Sequence, residues 1–230
     1  MTPRERKSLW TGLLFCLPWL IGGGVFLLYP LGMAFYYSLS DYSVLLPPVF
    51  VGLENYRDLV HDDLFWKSLG NTTYYAIGAV TLSVLVALCL ALLLNSRVRG
   101  IALYRTIFFL PSLMPVVATS ILWMWMYNGD SGVINTVLGA VGVTGPAWLD
   151  DPSWAKAALD IMTTWSAGNA MVIFLAGLQD VPVAVYEAAV IDGANFLQRL
   201  WHVTLPMISP VIYFNLIMGV ISGFQVFVQA

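Results

Sequence analysis

The 230 residues are 59% hydrophobic and only 10% charged, and the formal net charge is −3. Ordinary soluble domains are roughly 45 to 50% apolar and about 25% charged, whereas the mean hydropathy here is +0.79. The composition therefore excludes an ordinary soluble domain and predicts an integral membrane protein in contact with lipid. It gives no reason to expect nucleic-acid binding.

Three basic residues at the N-terminus precede an uncharged stretch over residues 8–40. The apolar region of a secretory signal peptide is only about 7 to 15 residues long. Because this stretch is much longer, we interpret it as a retained first membrane span.

Apolar runs of about 20 residues predict five membrane spans, because a helix of that length crosses a bilayer core about 30 Å thick. The fourth span contains Lys156 and Asp160, and the other four are uncharged. We expect an all-α fold, a polytopic transmembrane helical bundle forming a single domain over residues 1–230. The predicted spans cover residues 10–37, 72–94, 106–126, 154–178 and 206–230.

The positions of Lys and Arg predict the orientation, because cytoplasmic loops carry an excess of both. Seven basic residues flank one side of the predicted bundle and three flank the other. The N-terminus, the second connection and the loop over residues 180–206 are therefore predicted to be cytoplasmic. The seven are Arg4, Arg6, Lys7, Arg97, Arg99, Arg105 and Arg199, and the three are Arg57, Lys67 and Lys156.

The outer connections each contain a predicted short helix, over residues 54–60 and 133–141. Aromatic residues near the outer ends of the third and fourth spans predict an interfacial belt. These aromatic residues are Trp123, Trp125, Tyr127, Trp148 and Trp154.

The loop over residues 180–206 carries five ionisable residues between two apolar spans. A charged residue at a bilayer centre costs about 2.5 to 3.5 kcal/mol, so we expect this loop to lie outside the hydrocarbon. The five are Asp180, Glu187, Asp192, Arg199 and His202.

The same loop is predicted to form a bent pair of short helices. Asp180 is expected to cap a first helix of about twelve residues (about 18 Å), with Pro182 in its first turn. Gly193 is expected to end that helix in the left-handed conformation. Asn195, with Gln198 three residues later, then predicts a capping box for the second helix. The first helix is apolar on nearly every side, so we expect it to occupy a protein groove.

The spacing within this loop follows a longer pattern. Glu187, Ala188 and Ala189 are followed after three residues by Gly193 and after nine more by the segment 203–206, Val-Thr-Leu-Pro. This resembles the EAA motif, E-A-A-x3-G-x9-I-x-L-P, of permease subunits in binding-protein-dependent ABC importers. Val203 stands where the family usually has Ile, which is a mild change.

Two further stretches are similar to the carbohydrate branch of that family, the MalF-like and glycerol-phosphate or multiple-sugar permeases. They are FVGLENYRDLV over residues 50–60, with NTTYY over residues 71–75 behind it, and YRTIFFLPSLMP over residues 104–115. The resemblance implies a type I ABC importer permease fold in a bacterial or archaeal plasma membrane. Such permeases generally carry six core spans, so the resemblance implies a fragment lacking its final helix.

The resemblance implies that the loop is the coupling helix, which docks in a cleft of an ATPase subunit. The partners implied are a second permease, an ATPase dimer and an external solute-binding protein. The chain has no G-x4-GK[ST] loop, so ATP and Mg²⁺ are expected on the ATPase. The alternatives are purely structural roles, in which the loop is only a connector and Asp192 braces the bend. The residues expected to dock are Glu187, Ala188, Ala189, Asp192, Gly193, Ala194, Leu205 and Pro206.

A sugar path needs polar and aromatic groups that face inward. Trp165, Asn169, Asn215 and Gln225 are placed within spans where they can serve, although such residues in membrane helices also serve packing and interhelical bonding. Asp160 is expected to pair with Lys156 near the outer surface, with a substrate contact as the alternative.

Catalysis by this chain is not expected, because no nucleophile, base and orienting group recur together. The two cysteines lie in unrelated apolar contexts, so they predict neither a disulfide nor a metal site. The alternative functions are a transporter driven by an ion gradient, which usually needs buried ionisable groups, and an ABC permease for a non-sugar solute such as a glycerol phosphate or polyamine. A structural membrane protein is a weaker alternative.

Overall fold

The computed structural model describes residues 2–43, 45–96 and 99–225. These residues are helical except for connecting loops and one two-stranded sheet, which confirms the all-α class. By its contacts, the one domain predicted over residues 1–230 divides into two compact units, Met1–Ser68 and Leu69–Ala230.

The first unit begins with a long apolar helix. Helix α1 (Pro3–Gly23) starts at a capping box between Thr2 and Glu5 and continues through a π-helical turn, Gly24–Leu28, into α2 (Tyr29–Ser38). The wider turn lies directly before Pro30, which has no N–H for an intrahelical bond and whose ring crowds the preceding turn. The helix Arg4–Ser38 is long and apolar enough to cross a membrane.

A small polar assembly follows α2. Strand β1 (Ser40–Asp41) pairs antiparallel with β2 (Val49–Phe50), and α3 covers Glu54–His61. The Asn55 side-chain amide donates to the backbone oxygens of Ser38 and Ser40, each at 3.0 Å. These bonds hold the start of α3 at the end of α2.

The second unit is packed around α4 (Asp63–Leu94), which is also long and apolar enough by itself to cross a membrane. Ala87 and Ala91, one turn apart on α4, are fully buried, as are Met171 and Phe174. Small side chains at four-residue spacing let membrane helices approach closely. The core of this unit therefore forms where neighbouring helices meet the small-residue face of α4.

The last helix, α13 (Ser209–Phe224), approaches α4 in the same way. A Cβ on Gly219 would lie 2.9 Å from a methyl carbon of Val80, and one on Gly223 would lie 2.9 Å from the Cβ of Ala76. These two glycines are therefore packing positions.

Three of the predicted spans are broken rather than straight. Helices α5 (Ile101–Phe109) and α6 (Val116–Met126) are separated by a 3₁₀ turn, Leu110–Leu113, and the pair is bent by 97°. Pro111 and Pro115 lack the N–H that a continuous helix needs here. The described residues contain two helices able to cross a membrane, or up to five if each bent pair counts as one, so the span boundaries stay a prediction.

The other two bent pairs follow later in the chain. Helices α8 (Pro152–Trp165) and α9 (Gly168–Gln179) are bent by 52°. The segment Phe196–Met207 and α13 are bent by 66°. The predicted span over residues 206–230 is therefore preceded by helix from Phe196 onward, and its residues 226–230 lie outside the described part of the chain.

Short helices complete the second unit. The connection between α6 and α8 contains α7, one residue shorter than predicted. The loop over residues 180–206 contains three short helices and a second π-helical turn, Leu200–Thr204. The short helices are α7 (Val133–Ala140), α10 (Val183–Ile191), α11 (Phe196–Arg199) and α12 (Leu205–Met207).

Four of the predicted belt aromatics form a contact chain instead of standing separately. The ring centroids of Trp123 and Tyr127 are 5.0 Å apart, those of Tyr127 and Trp148 5.6 Å, and those of Trp148 and Trp154 5.4 Å. Trp123 and Tyr127 are buried, whereas Trp125 is 72% exposed. Part of the predicted belt is thus a protein core.

Candidate functional site

The loop over residues 180–206 begins differently from the prediction. Asp180 ends α9 as its C-cap, and α10 begins only at Val183, after Pro182 in an extended conformation. Proline disfavours the helical conformation in the residue before it, so Val181 separates the two helices. The prediction that Asp180 caps a twelve-residue helix is wrong, and α10 has 9 residues.

The turn after α10 has the predicted geometry. Gly193 has φ +75°, a left-handed conformation that costs other residues energy. The amide of Gly193 donates to the Val190 oxygen at 3.0 Å, and that of Ala194 donates to the Ala189 oxygen at 2.9 Å. This pair of bonds is a Schellman motif, so the end of α10 is determined locally.

The second helix of the loop also starts as predicted. The Asn195 side chain accepts from the Gln198 amide at 2.9 Å, and the Gln198 side chain accepts from the Asn195 amide at 2.8 Å. The chain then passes through the π-helical turn into α12, where Pro206 lies in the first turn. As at Pro30, the wider turn precedes a residue that has no N–H.

Helix α10 leaves most of its surface uncovered. None of its residues is buried. Val183 is 69% exposed and Ile191 85% exposed, and the Glu187 side chain is exposed beside them. One bond anchors the helix to the rest of the loop, between the hydroxyls of Tyr186 and Thr204 at 3.0 Å. The result is a short apolar helix with a carboxylate on its surface, held at one side.

The other residues expected to dock lie around this helix. The structure places all eight in the loop, on α10, in the turn after it and in α12. Most are exposed, and three are half-buried: Ala189, Ala194 and Leu205.

A separate cavity lies where two of the helix breaks meet. It has a volume of about 150 Å³, and none of its ten described lining residues carries a charge. Irregular backbone at membrane depth is tolerated where it is buried in protein or lines a cavity. Six of the lining residues have side chains with a hydroxyl or an amide group: Ser112, Thr119, Ser120, Thr163, Ser166 and Asn169.

Gly168 brings the two breaks together. A Cβ at this position would lie 2.7 Å from the Phe108 backbone oxygen and 2.9 Å from the Phe109 Cα. Only a residue without a side chain lets the start of α9 pack this closely on the end of α5. The cavity therefore depends on tertiary packing.

The structure separates the four predicted path residues. Asn169 lines the cavity, and Trp165, which is 38% exposed, lies at the same break with its ring 5.9 Å from that of Trp123. Asn215 is 8% exposed and donates to the Val211 oxygen of its own helix at 2.9 Å. Gln225 follows the end of α13 and is exposed. In the described structure neither Asn215 nor Gln225 lines the cavity.

The hydroxyl residues of the cavity were not among the path residues predicted from the sequence. Ser112 lies between Pro111 and Pro115, and this was the available signal, because two prolines inside an apolar span predict irregular backbone. Thr163 and Ser166 carried no comparable signal, since a hydroxyl in a membrane helix commonly bonds to its own helix.

Asp160 does not form the predicted pair with Lys156. The Lys156 amine instead lies over the Tyr74 ring, 4.9 Å from its centroid, as a cation–π contact. The Asp160 carboxylate lies against Gly78, where a side chain would overlap it. Its Oδ1 atom is buried and has no hydrogen-bond partner among the described residues.

No group of three or more His, Cys, Asp or Glu able to hold a metal ion occurs within residues 2–43, 45–96 and 99–225. The two features that stand out chemically are thus the uncharged cavity and the exposed helix of the loop. Apolar helices broken around a polar cavity, with an apolar helix displayed on a connecting loop, are the features of a membrane transport protein.

Residues 79–230 match the model of a family described as "Binding-protein-dependent transport system inner membrane component". The chain belongs to this family, whose members are transport subunits located in the membrane. The membership decides against a transporter driven by an ion gradient.

Two relatives of this chain have names that agree with this family. The chain is 38% identical to the probable ABC transporter permease protein YesP of Bacillus subtilis over 98% of this chain and 74% of the relative. It is 38% identical to the lactose transport system permease protein LacF of Rhizobium radiobacter over 94% of this chain and 73% of the relative.

A solved structure has the same fold. It is a bacterial ABC transporter involved in the import of the acidic polysaccharide alginate, with a TM-score of 0.82 and 23% identity over 97% of this chain and 76% of that chain. The type of fold inferred from the sequence is therefore confirmed.

Proposed function

We propose that this chain is the permease subunit of an ABC importer and forms part of the translocation path for an uncharged sugar delivered by an external binding protein. The observation that carries this proposal is the cavity of about 150 Å³ with no charge among its described lining residues. The lactose transport of the relative LacF supports a carbohydrate as the solute.

The uncharged cavity lining supports a neutral sugar over the other solute classes left open by the sequence. A glycerol phosphate carries a dianion, and buried charges require a paired charge. A polyamine in turn requires carboxylates. Hydroxyl and amide groups such as those of Ser166 and Asn169 instead offer both donors and acceptors to the hydroxyls of a neutral sugar.

Asn169 is proposed to orient the sugar in this cavity, and the half-exposed ring of Trp165 is proposed to pack on it. Asn215 and Gln225 are proposed to belong to a wider part of the path. Asn215 has one amide bond to its own helix, which leaves its carbonyl oxygen as an acceptor.

The loop over residues 180–206 is proposed to be the coupling element. The exposed apolar face of α10 fits a groove on an ATPase subunit, and Glu187 offers a charge-assisted bond at its surface. The docking surface is proposed to comprise Glu187, Ala188, Ala189, Asp192, Gly193, Ala194, Leu205 and Pro206. ATP and Mg²⁺ are proposed to bind only to the ATPase dimer, which this chain contacts together with a second permease.

A coupling role for this loop implies the orientation of the chain in the membrane, because the ATPase is cytoplasmic. The loop over residues 180–206 and the N-terminus are proposed to face the cytoplasm, in agreement with the excess of Lys and Arg on that side. Arg97, which contributes to that excess, lies outside the described residues. ATP binding is proposed to close the ATPase dimer and to move α10. This movement is proposed to shift the bent spans between inward-facing and outward-facing states.

The coupling role is tested by Glu187→Lys in the assembled transporter. We expect ATPase association and sugar-stimulated ATP turnover to fall by at least tenfold, because the reversed charge replaces an attractive contact with a repulsive one of several kcal/mol. Glu54→Lys makes the same change on exposed α3 and serves as the control. Equal association and turnover in wild type and Glu187→Lys would reject the coupling role.

The sugar site is tested by Asn169→Leu. We expect sugar uptake to fall by about tenfold to a hundredfold, since a lost hydrogen bond that leaves a polar partner unpaired costs about 1–3 kcal/mol, while ATPase association is unchanged. Asn71→Leu, on an exposed position of α4, is the matched control. Uptake that is insensitive to Asn169→Leu would remove this cavity from the path.

A further inference from the structure

A second cavity lies beside the proposed coupling element and has a different chemistry. Its volume is about 260 Å³. It lies between the end of α4, the end of α9, the coupling helix α10 and the π-helical turn that follows α11. Its lining residues are Leu92, Asn95, Ser96, Leu178, Tyr186, Phe196, Arg199, Leu200 and Thr204.

Arg199 supplies a cation to this cavity. The side chain is half-buried, and its Nε atom is buried without a hydrogen-bond partner among the described residues. A guanidinium nitrogen in that position costs free energy unless an acceptor reaches it. Arg199 therefore places a positive charge in the lining of the cavity.

A second arginine lies at the same helix end. Arg105 donates through Nη2 to the Leu94 oxygen at 3.2 Å, which holds its guanidinium at the end of α4, although Arg105 is not itself one of the lining residues. The Nε atom of Arg105 is also buried without a partner among the described residues. The bond to the Leu94 carbonyl therefore holds a second positive charge at the end of α4, beside the cavity.

The surroundings of the two arginines are those of a membrane interface. Phe196 and Trp201 are each 65% exposed, and Leu197 is 61% exposed. Basic pockets between membrane helices on the cytoplasmic side bind the headgroups of anionic lipids. Aromatic and apolar side chains at the same level fit the glycerol and acyl parts of such a lipid.

We propose that this cavity binds the phosphate of an anionic phospholipid from the cytoplasmic leaflet, with Arg199 as the cationic contact in its lining and Arg105 as a second cation at the end of α4. The proposal rests on the cytoplasmic orientation given under the proposed function. Because Tyr186 and Thr204 line the cavity and also join α10 to the π-helical turn, a bound headgroup stabilises the position of the coupling helix.

The experiment uses the complete transporter in nanodiscs of phosphatidylcholine alone or with phosphatidylglycerol. We expect phosphatidylglycerol to raise the Tm of the wild-type complex and the Arg199→Gln, Arg105→Gln double variant to lose this shift. Arg99→Gln removes an exposed cation from the same connection and is expected to keep the shift. An equal shift in the double variant and the wild type overturns the proposal.

Two further measurements test whether the group that binds Arg199 comes from a source other than a lipid. If inorganic phosphate reproduces the shift in phosphatidylcholine alone, the ligand is free phosphate and the lipid assignment is overturned. If Arg199→Gln lowers ATPase association equally in both lipid mixtures, the acceptor is a carboxylate of the ATPase, which also overturns it.

Native mass spectrometry provides a readout that does not depend on the folding of the double variant. We expect the wild type and the charge-conserving Arg199→Lys to retain phosphatidylglycerol; equal retention of phosphatidylcholine by both contradicts the proposal. Sugar-stimulated ATP turnover is measured on the same wild-type samples. Its absence rejects the proposed function, whereas the lipid-dependent shift tests only this cavity.

Discussion

Gly168 and Gly193 both stand at bends in the second unit, but they are required there for different reasons. At Gly168 the backbone of Phe108 and Phe109 approaches so closely that a Cβ would meet it at 2.7 to 2.9 Å. At Gly193 a Cβ would meet nothing within 4 Å, and the requirement is the φ of +75°. One bend is therefore made by packing between helices and the other by local backbone conformation.

The difference extends to the helices that these glycines adjoin. Helix α9, which begins at Gly168, buries Met171, Phe174 and Leu178 in the core. Helix α10, which ends before Gly193, buries no residue. The cavity proposed for transport is thus built into the fold, whereas the helix proposed for coupling has an apolar surface that is largely exposed.

The largest effect is expected when packing at the first bend is broken. Gly168→Ala should destabilise the protein by about 1–3 kcal/mol, the usual cost of overpacking a close contact, and should lower its Tm in detergent. Gly139→Ala is the matched control, since a Cβ there meets nothing within 4 Å. Equal Tm values for the two variants would contradict the packing role of Gly168.

A smaller effect is expected at the second bend. Gly193→Ala should cost about 1–2 kcal/mol, because a side chain is strained in the left-handed conformation, and should loosen the end of α10. Gly193→Asn should be milder, since asparagine tolerates that conformation better. Hydrogen exchange at the Ala194 amide measures the change, and equal exchange in both variants would show that φ is not the constraint.

The smallest effect is expected from pH at the start of α8. Asp151 accepts from the hydroxyl and the amide of Ser153, and these bonds hold the pKa of its carboxyl below the ordinary value of 3.8. Because this pKa is lowered in the folded state, the stabilisation is present above the ordinary value and is lost as the pH falls through the folded-state pKa.

The loss of the bonds between Asp151 and Ser153 should have only a local effect, as the change at Gly193 does. The Ser153 amide is expected to exchange faster as the pH falls below 3.8, after correction for the intrinsic pH dependence of exchange, while the helix break at Gly168 is unaffected. Asp151→Asn should remove this pH dependence. A pH-dependent change that is as large in Asp151→Asn would assign the effect to another group.

Local features of the candidate site were predictable from the sequence. The left-handed Gly193 and the capping box of Asn195 and Gln198 depend only on residues within one turn, and both are present. Asp180 was not predicted correctly, because the competing effect of Pro182 on Val181 decided where α10 begins. The roles of the docking residues stay a prediction, since they concern a partner chain.

The cavity was predictable only in part. Asn169 was predicted as a path residue and lines the cavity. Asn215 instead donates its side-chain amide to the backbone of its own helix, and Gln225 lies beyond the end of α13. A list of polar residues in apolar spans cannot separate these cases. Their environments depend on which helices break and which faces then meet.

The sequence by itself determined the class of protein, the all-α fold, the family and the local turns of the coupling loop. Apolar run length, charge placement and motif spacing act over a few residues and need no knowledge of the partners of a helix. Only the tertiary structure decided that three predicted spans are bent, that hydroxyls converge on a cavity and that Asp160 faces Gly78 and not Lys156. These features arise from close contacts between residues distant in the chain, which no local pattern encodes.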